Sequence, residues 1–288
     1  MPSKFHGKNA LITGGSSGIG LALAKKLAVQ GANVWILARD QARLESACQE
    51  INALRVDPHQ QIDSLAVDVS QAGQVFPALE GFSRQFGGPD LLINCAGVTR
   101  PGKFAEMDLS IFRAMMEVNY FGTLYTIKAA LPGMIQRGSG HIVNISSLAG
   151  MFGVYGYSSY GPSKFAVRSL TDTLRYELAE HNIRMSVVFP PDTQTPQYEA
   201  EGPYKPPVLV VLDKANKVLS ADAVADTILN GVTRGKYVIT PGFDSTVYFH
   251  LTNFFGLVYP VMDFMVAQAH RVVRRGGSSG RGRGKDHR

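Results

Sequence analysis

Thr13-Gly14-Gly15-Ser16-Ser17-Gly18-Ile19-Gly20 joins a short apolar run, Asn9 to Thr13, to a segment, Gly18 to Gln30, whose apolar residues recur at helical spacing. Gly31 follows as a natural helix stop. A glycine-rich turn between a buried strand and a helix lets other groups approach the backbone closely. It also aims the free N–H groups of the helix N-terminus, with their partial positive charge, at one place. A pyrophosphate fits there. Gly14, Ser16, Ser17, Gly18, Ile19 and Gly20 are therefore the candidate dinucleotide-binding residues, weighed against the plainer reading of an ordinary turn.

Working outward, strand-like runs recur at Ala32 to Ala38, Asp63 to Val67, Asp90 to Cys95, Gly140 to Ser146, Arg184 to Pro190 and Lys236 to Thr240. Helical stretches lie between them. Strands apolar on both faces that alternate with helices imply a parallel sheet covered on each side, so the expected class is α/β, a doubly wound Rossmann-type sheet in one domain over residues 1–242. The composition agrees: of 288 residues, 45% are hydrophobic and 18% charged, enough to bury a sizeable core. Cys48 and Cys95 are too few for a disulfide framework and read as reduced thiols.

The net charge of +6 would point to nucleic acid if it lay on the body of the chain. It does not. Arg271 to Arg288 holds seven Lys or Arg and one Asp, which accounts for all of it, so no nucleic-acid partner is expected. Residues 276–288, rich in Gly, Ser and Arg, read as a disordered basic tail. Met1 to Lys8 is short and polar, without a signal-peptide pattern.

Two regions depart from the β-α alternation. Pro190 to Pro207 holds six prolines and Gly202, which predicts a long loop with little helix, and residues 190–217 read as a lid over a substrate pocket. Residues 243–275 are rich in Phe, Tyr, Val, Leu and Met, yet Asp244, His250, Pro260 and Asp263 interrupt any clean run of the roughly 20 apolar residues that a spanning helix needs. Phe249 to Val266 followed by Arg271, Arg274 and Arg275 suits a membrane interface; a dimer contact or a packed C-terminal helix suits it too. The expectation is a cytoplasmic protein, peripheral on the cytosolic face of a membrane, with a homo-oligomer as the other use of the segment.

Two motifs carry chemistry. Tyr160 and Lys164, in Tyr160-Gly161-Pro162-Ser163-Lys164, are four apart and share a helix face. A nearby ammonium stabilises a phenolate, which predicts that Lys164 brings the Tyr160 phenol down toward a useful proton donor. Pro162 is tolerated only in a first helical turn, so the helix should begin near Ser158 or Ser159. Ser147, thirteen residues before Tyr160, can hydrogen-bond a substrate oxygen as charge develops on it. Where an adenosine ribose would lie, the chain reads Ala38-Arg39-Asp40: Arg39 suits a 2′-phosphate, and Asp40 suits a plain ribose.

Taken in order, the glycine turn, Asn94-Cys95-Ala96-Gly97, Asn119, Ser147, Tyr160 and Lys164 resemble the short-chain dehydrogenase/reductase family over roughly residues 8 to 240. The resemblance implies an oxidoreductase with Asn119, Ser147, Tyr160 and Lys164 as its catalytic set. Asn119 would support a water-linked proton relay, and Lys164 would also hold the nicotinamide ribose. It places Asp68 and Val69 at the adenine, although Asp68 also suits a helix cap. Asn94, Ala96 and Gly97 join the cofactor contacts, as do Pro190, Thr193 and Thr195. NADPH is the cofactor expected. Pro191 stands where the family usually has glycine, which alters the loop facing the nicotinamide.

Within that family, Phe189-Pro190-Pro191-Asp192-Thr193-Gln194-Thr195-Pro196 is similar to the Tyr-Pro-Pro-Asp-Thr-Asp-Thr-Pro loop of 3-ketodihydrosphingosine reductases. Gly102-Lys103-Phe104, Ser163-Lys164-Phe165-Ala166 and Val272-Val273-Arg274-Arg275 are similar to them as well. That resemblance implies reduction of the C3 ketone of a long-chain sphingoid ketone. A 3-oxoacyl thioester or steroid ketone, or a non-catalytic NADP(H)-binding scaffold, are the competing readings, since fold and catalytic residues do not separate substrates.

Overall fold

The computed structural model describes residues 3–213 and 217–252, the side chains of Val211 and Leu251 excepted. The chain divides into two compact units, Met1–Phe249 and His250–Arg288. Of the second, only the end of one helix lies among the described residues. The expected interfacial segment from residue 253 onward and the basic tail 276–288 lie outside them.

Seven parallel strands form the core of the first unit. They are β1 (Asn9–Thr13), β2 (Asn33–Ala38), β3 (Ile62–Ala66), β4 (Leu91–Asn94), β5 (Gly140–Ile145), β6 (Ile183–Val188) and, at the far edge, a short strand Val238–Ile239, in the order β3-β2-β1-β4-β5-β6-edge. Helices α1 (Gly18–Val29), α2 (Gln41–Asn52), α3 (Ala72–Phe86), α4 (Leu109–Met115), α5 (Gly122–Arg137) and α6 (Tyr160–Glu177) connect them. Strands buried along their whole length, such as β4, need cover on both faces, and two apolar layers supply it. Leu23, Leu27, Leu44, Ile51 and Ile228 fill one layer. Trp35, Leu79, Phe82, Ile127 and Met134 fill the other. The expected doubly wound α/β class is the architecture found.

The chain runs from β1 outward to β3 and then returns to lay β4 on the other side of β1. At that reversal the connections leave in opposite directions, so a crevice opens above the C-terminal ends of β1 and β4. The β1–β4 register pairs Thr13 with Asn94. It therefore sets the glycine turn beside Cys95-Ala96-Gly97.

The proline-rich stretch differs from the expected loop. It contains α7 (Pro196–Glu201), a 3₁₀ turn Gly202–Tyr204 and α8 (Pro207–Asp213). Proline lacks only an N–H that the first turn of a helix has no partner for anyway, and Pro196, Pro203 and Pro207 all stand at such starts. Thr195 caps α7 by accepting the Tyr198 N–H at 3.2 Å. A two-stranded parallel ladder, β7 (Thr193–Gln194) with β8 (Leu219–Ser220), anchors the segment ahead of α9 (Ala221–Thr233). Counting the edge strand Val238–Ile239 as β9, the described chain ends in α10 (Phe243–Thr252). No helix among the described residues is long and apolar enough to cross a membrane.

Candidate active site

A cavity of about 550 Å³ lies above the crevice and touches both the glycine turn and the start of α6. Gly14, Ser17, Gly18, Ile19 and Gly20 line one end. Ser17 precedes α1 in an extended conformation, its side chain makes no cap hydrogen bond, and the first turn holds no acid. The N–H groups of that turn are thus left for a ligand. Two glycines are sterically required: a Cβ on Gly20 would stand 2.2 Å from the Gly14 carbonyl oxygen, and Gly14 has φ +69 with Ala96 Cα only 2.8 Å from its notional Cβ. Thr13 Oγ1 accepts the N–H groups of Cys95 and Ala96 at 3.1 and 3.0 Å, binding the two rims together. An anionic dinucleotide fits this end.

Other expected cofactor residues are arranged differently. Asn94 faces the core, where its amide donates to Asn144 at 2.8 Å and accepts from Thr126 at 2.7 Å. Its side chain joins β4 to β5 and α5. Val69 packs against α5, 2.8 Å from where a Cβ of Gly122 would lie. Asp68 accepts both the N–H and the hydroxyl of Ser70 in a local turn, while Gln71 holds the N-cap position of α3. Ser16, Arg39, Asp68 and Val69 stand outside the lining of the cavity. Arg39 is exposed just past β2, whose Leu37 carbonyl accepts the N–H of Gly14 at 2.7 Å. Asp40 is occupied: it caps α2 through the Arg43 N–H at 3.1 Å and meets the Arg43 guanidinium at 3.5 Å.

At the other end, Ser147, Tyr160, Lys164, Pro190, Thr193 and Thr195 line the cavity with Ala96 and Gly97. α6 begins at Tyr160, and Pro162 falls in its first turn. Lys164 is buried and donates from Nζ to the Ile145 carbonyl at 3.0 Å, 5.6 Å from the Tyr160 ring centroid. Burial brings Lys164 down to about 8, and the neighbouring Cys95 thiol works the other way. Burial raises Cys95 itself to about 11, and both cysteines are free thiols. Burial also pushes the Tyr160 phenol well above its ordinary value, opposed by a hydrogen bond with Ser147. The expected lowering by Lys164 is not what governs the phenol here. Enclosure disfavours charge on both groups, and the ammonium is directed at a backbone carbonyl rather than at the phenol.

Asn119 sits fully buried in a π-helical turn, Met116–Phe121, between α4 and α5. Its Oδ1 accepts the Val98 N–H at 2.8 Å; its Nδ2 donates to the Val98 carbonyl at 3.0 Å and to Ser163 Oγ at 2.9 Å. Ser163 in turn donates to the Tyr160 carbonyl at 2.7 Å. The side chain thereby fixes the loop after Gly97 and the start of α6. A π-turn places a side chain out of helical phase and is frequent at functional sites, but no residue pattern announces it.

Sequence reasoning missed Tyr157 and Glu201, which also line the cavity and are joined by a hydrogen bond of 2.6 Å across 44 residues. Only the closure of α7 over the pocket brings them together. Chemically, the site offers a carbonyl two hydroxyls, Ser147 to hold its oxygen and Tyr160 to protonate it, beside a surface shaped for a dinucleotide.

Known proteins agree with this geometry. The model of the short chain dehydrogenase family matches residues 8–203. A 3-dehydrosphinganine reductase of Danio rerio is 35% identical over 252 residues, 87% of this chain and 76% of that protein. A 3-ketodihydrosphingosine reductase of Dictyostelium discoideum is 40% identical over 250 residues, 82% of this chain and 75% of its own length. Among solved structures, a short-chain dehydrogenase from Sphingobium yanoikuyae in complex with NADPH superposes with a TM-score of 0.73 at 25% identity, covering 96% of this chain and 98% of that one. Likeness of this extent, on a chain whose cleft carries Ser147, Tyr160 and Lys164 together, means that the protein belongs to the short-chain dehydrogenase/reductase family of oxidoreductases.

Proposed function

We propose that the protein reduces the C3 ketone of 3-ketodihydrosphingosine to dihydrosphingosine with NADPH. The observation that carries the reading is a single cavity that joins the open N-terminus of α1 to the Ser147–Tyr160 pair, in a chain whose relatives are named for that reaction. In this reading Gly18 to Gly20 and Ser17 hold the pyrophosphate, Arg39 takes the 2′-phosphate, and Lys164 holds the nicotinamide ribose. Ala96, Gly97, Pro190, Thr193 and Thr195 wall the nicotinamide end, with Asp68 and Val69 behind the adenine. NADPH supplies the hydride when bound.

The protein's own part is protonation and orientation. Ser147 holds the ketone oxygen, Tyr160 gives that oxygen its proton, and the hydrogen bond from Ser147 steadies the phenolate left behind. Asn119 acts as a positioning residue: through Ser163 it holds the Tyr160 backbone, and through Val98 it holds the rim around Gly97. A Cβ on Gly97 would meet Asn119 Oδ1 at 3.2 Å and Lys164 Nζ at 3.3 Å, so glycine at this position keeps both side chains in place.

The reading extends to a peripheral site at a membrane surface on the cytosolic side. Its support is an alkyl-chain substrate and an apolar rim: Leu212 of α8 lines the cavity yet is half exposed, as is Val208 one turn earlier. Flotation of the protein with anionic vesicles tests it, and a stable dimer that stays in solution would assign the rim to a second copy instead.

NADPH consumption by the purified protein in mild detergent, with 3-ketodihydrosphingosine beside a 3-oxoacyl thioester and a steroid ketone, tests the substrate. Turnover restricted to the sphingoid ketone is the expected result. Preference for another ketone would leave the chemistry and remove the substrate assignment, and no turnover with any of them would favour a binding scaffold.

A further inference from the structure

We propose that Glu201 is a specificity-determining residue that receives the ammonium group beside the ketone, selecting amino ketones over plain ketones. The inference rests on the substrate reading above. Glu201 closes α7 and is only 8% exposed, yet it lines the same cavity as Tyr160. Its Oε2 accepts a hydrogen bond from Tyr157 Oη at 2.6 Å, and the Tyr157 ring lies 5.7 Å from the ring of Tyr160. One phenol thus spans from the proton donor to the carboxylate.

Among the described residues Glu201 forms no ion pair. The cation of the same segment, Lys205, is already paired with Asp213 at 2.6 Å and lies over the Tyr198 ring at 4.3 Å. Burial raises the Glu201 carboxyl above its ordinary range, against the Tyr157 hydroxyl and the more distant charge of Lys205, so a further cation beside it is favourable. Asp192 lines the cavity too and adds to its negative field. An α-amino ketone carries its ammonium on the carbon next to the carbonyl. Once Tyr160 holds the ketone oxygen, that ammonium must lie close to the proton donor, in the region that Tyr157 and Glu201 flank.

The plainer role, in which Glu201 only anchors α7 through Tyr157, makes a different prediction. The experiment compares 3-ketodihydrosphingosine with the same chain lacking the 2-amino group, read as the ratio of kcat/KM for amino over desamino ketone, in wild type, Glu201→Gln and Tyr157→Phe. NADPH binding is followed by fluorescence to confirm a folded site. Glutamine keeps an acceptor for Tyr157 and removes the charge; phenylalanine removes the anchor and keeps the charge. The expected result is that the ratio falls at least about tenfold in Glu201→Gln, as for loss of a charge-assisted contact, and stays within about threefold of wild type in Tyr157→Phe. A ratio unchanged in Glu201→Gln, or lowered equally in both variants, would overturn the assignment while leaving the substrate in place. Wild type that reduces neither ketone would overturn the substrate reading and the role of Glu201 with it.

Discussion

Lys164 Nζ donates to the backbone carbonyl of Ile145 at 3.0 Å, which ties the first turns of α6 to the end of β5, two residues before Ser147. That bond holds an ammonium in an enclosed pocket without a counter-ion among the described residues. Burial in that pocket leaves the lysine near 8 rather than near its ordinary 10.5.

As pH rises through about 8, Lys164 loses its charge, and the nicotinamide ribose it is proposed to hold loses a cationic donor. Ketone reduction, measured as kcat/KM, should therefore fall across that range. Lys164→Met should be slower by about 10²-fold or more and lack the step. Stability runs the opposite way. Between about 8 and 10.5 the unfolded chain binds a proton that the folded chain does not, so wild type gains stability with rising pH relative to Lys164→Met, which denaturation curves at pH 8 and 10 will read.

Tyr160→Phe removes the proton donor and leaves the ring and its packing. Its kcat should drop by about 10²–10⁴-fold while NADPH affinity, followed by fluorescence titration, changes little. Turnover close to wild type would move the proton donor elsewhere.

The cofactor end can be tested at two points. Gly20→Ala would force a methyl group against the Gly14 carbonyl, so the turn must deform and NADPH binding should be lost. Arg39→Ala should weaken NADPH by about 10–100-fold, the worth of a charged hydrogen bond, and NADH by much less. Equal losses for the two cofactors would remove Arg39 from the 2′-phosphate.

His141, away from the site, governs acid stability. It is 4% exposed, and its Nε2 lies 2.8 Å from Ser186 Oγ, which donates to the Lys236 carbonyl; Ser186 therefore accepts from the imidazole. Burial, with Arg184 adding to it, lowers His141 to about 4. Below its ordinary 6.5 the unfolded chain takes up a proton that the native state refuses, so stability declines from pH 6.5 toward 4, by about 2 kcal/mol at pH 5. Urea midpoints at pH 7 and 5 measure this, and His141→Gln should flatten the decline.

The amino-acid sequence by itself determined the strand-turn-helix at Thr13 to Gly20, the parallel α/β class and the placing of Tyr160 and Lys164 on one helix. Each is a matter of local spacing: glycine sterics, the alternation of apolar runs, and the four-residue repeat of one helix. Tertiary structure decided the partners. Asn94 turns into the core to meet Asn144, Asn119 is absorbed by Val98 and Ser163, and the prolines after residue 190 start helices that carry Glu201 to Tyr157. None of these follows from spacing, because each hydrogen bond joins segments whose approach is set by strand register and by the packing of a distant lid. The same enclosure set the protonation of the site, since burial of Tyr160 and Lys164 depends on what closes over them and not on their separation along the chain.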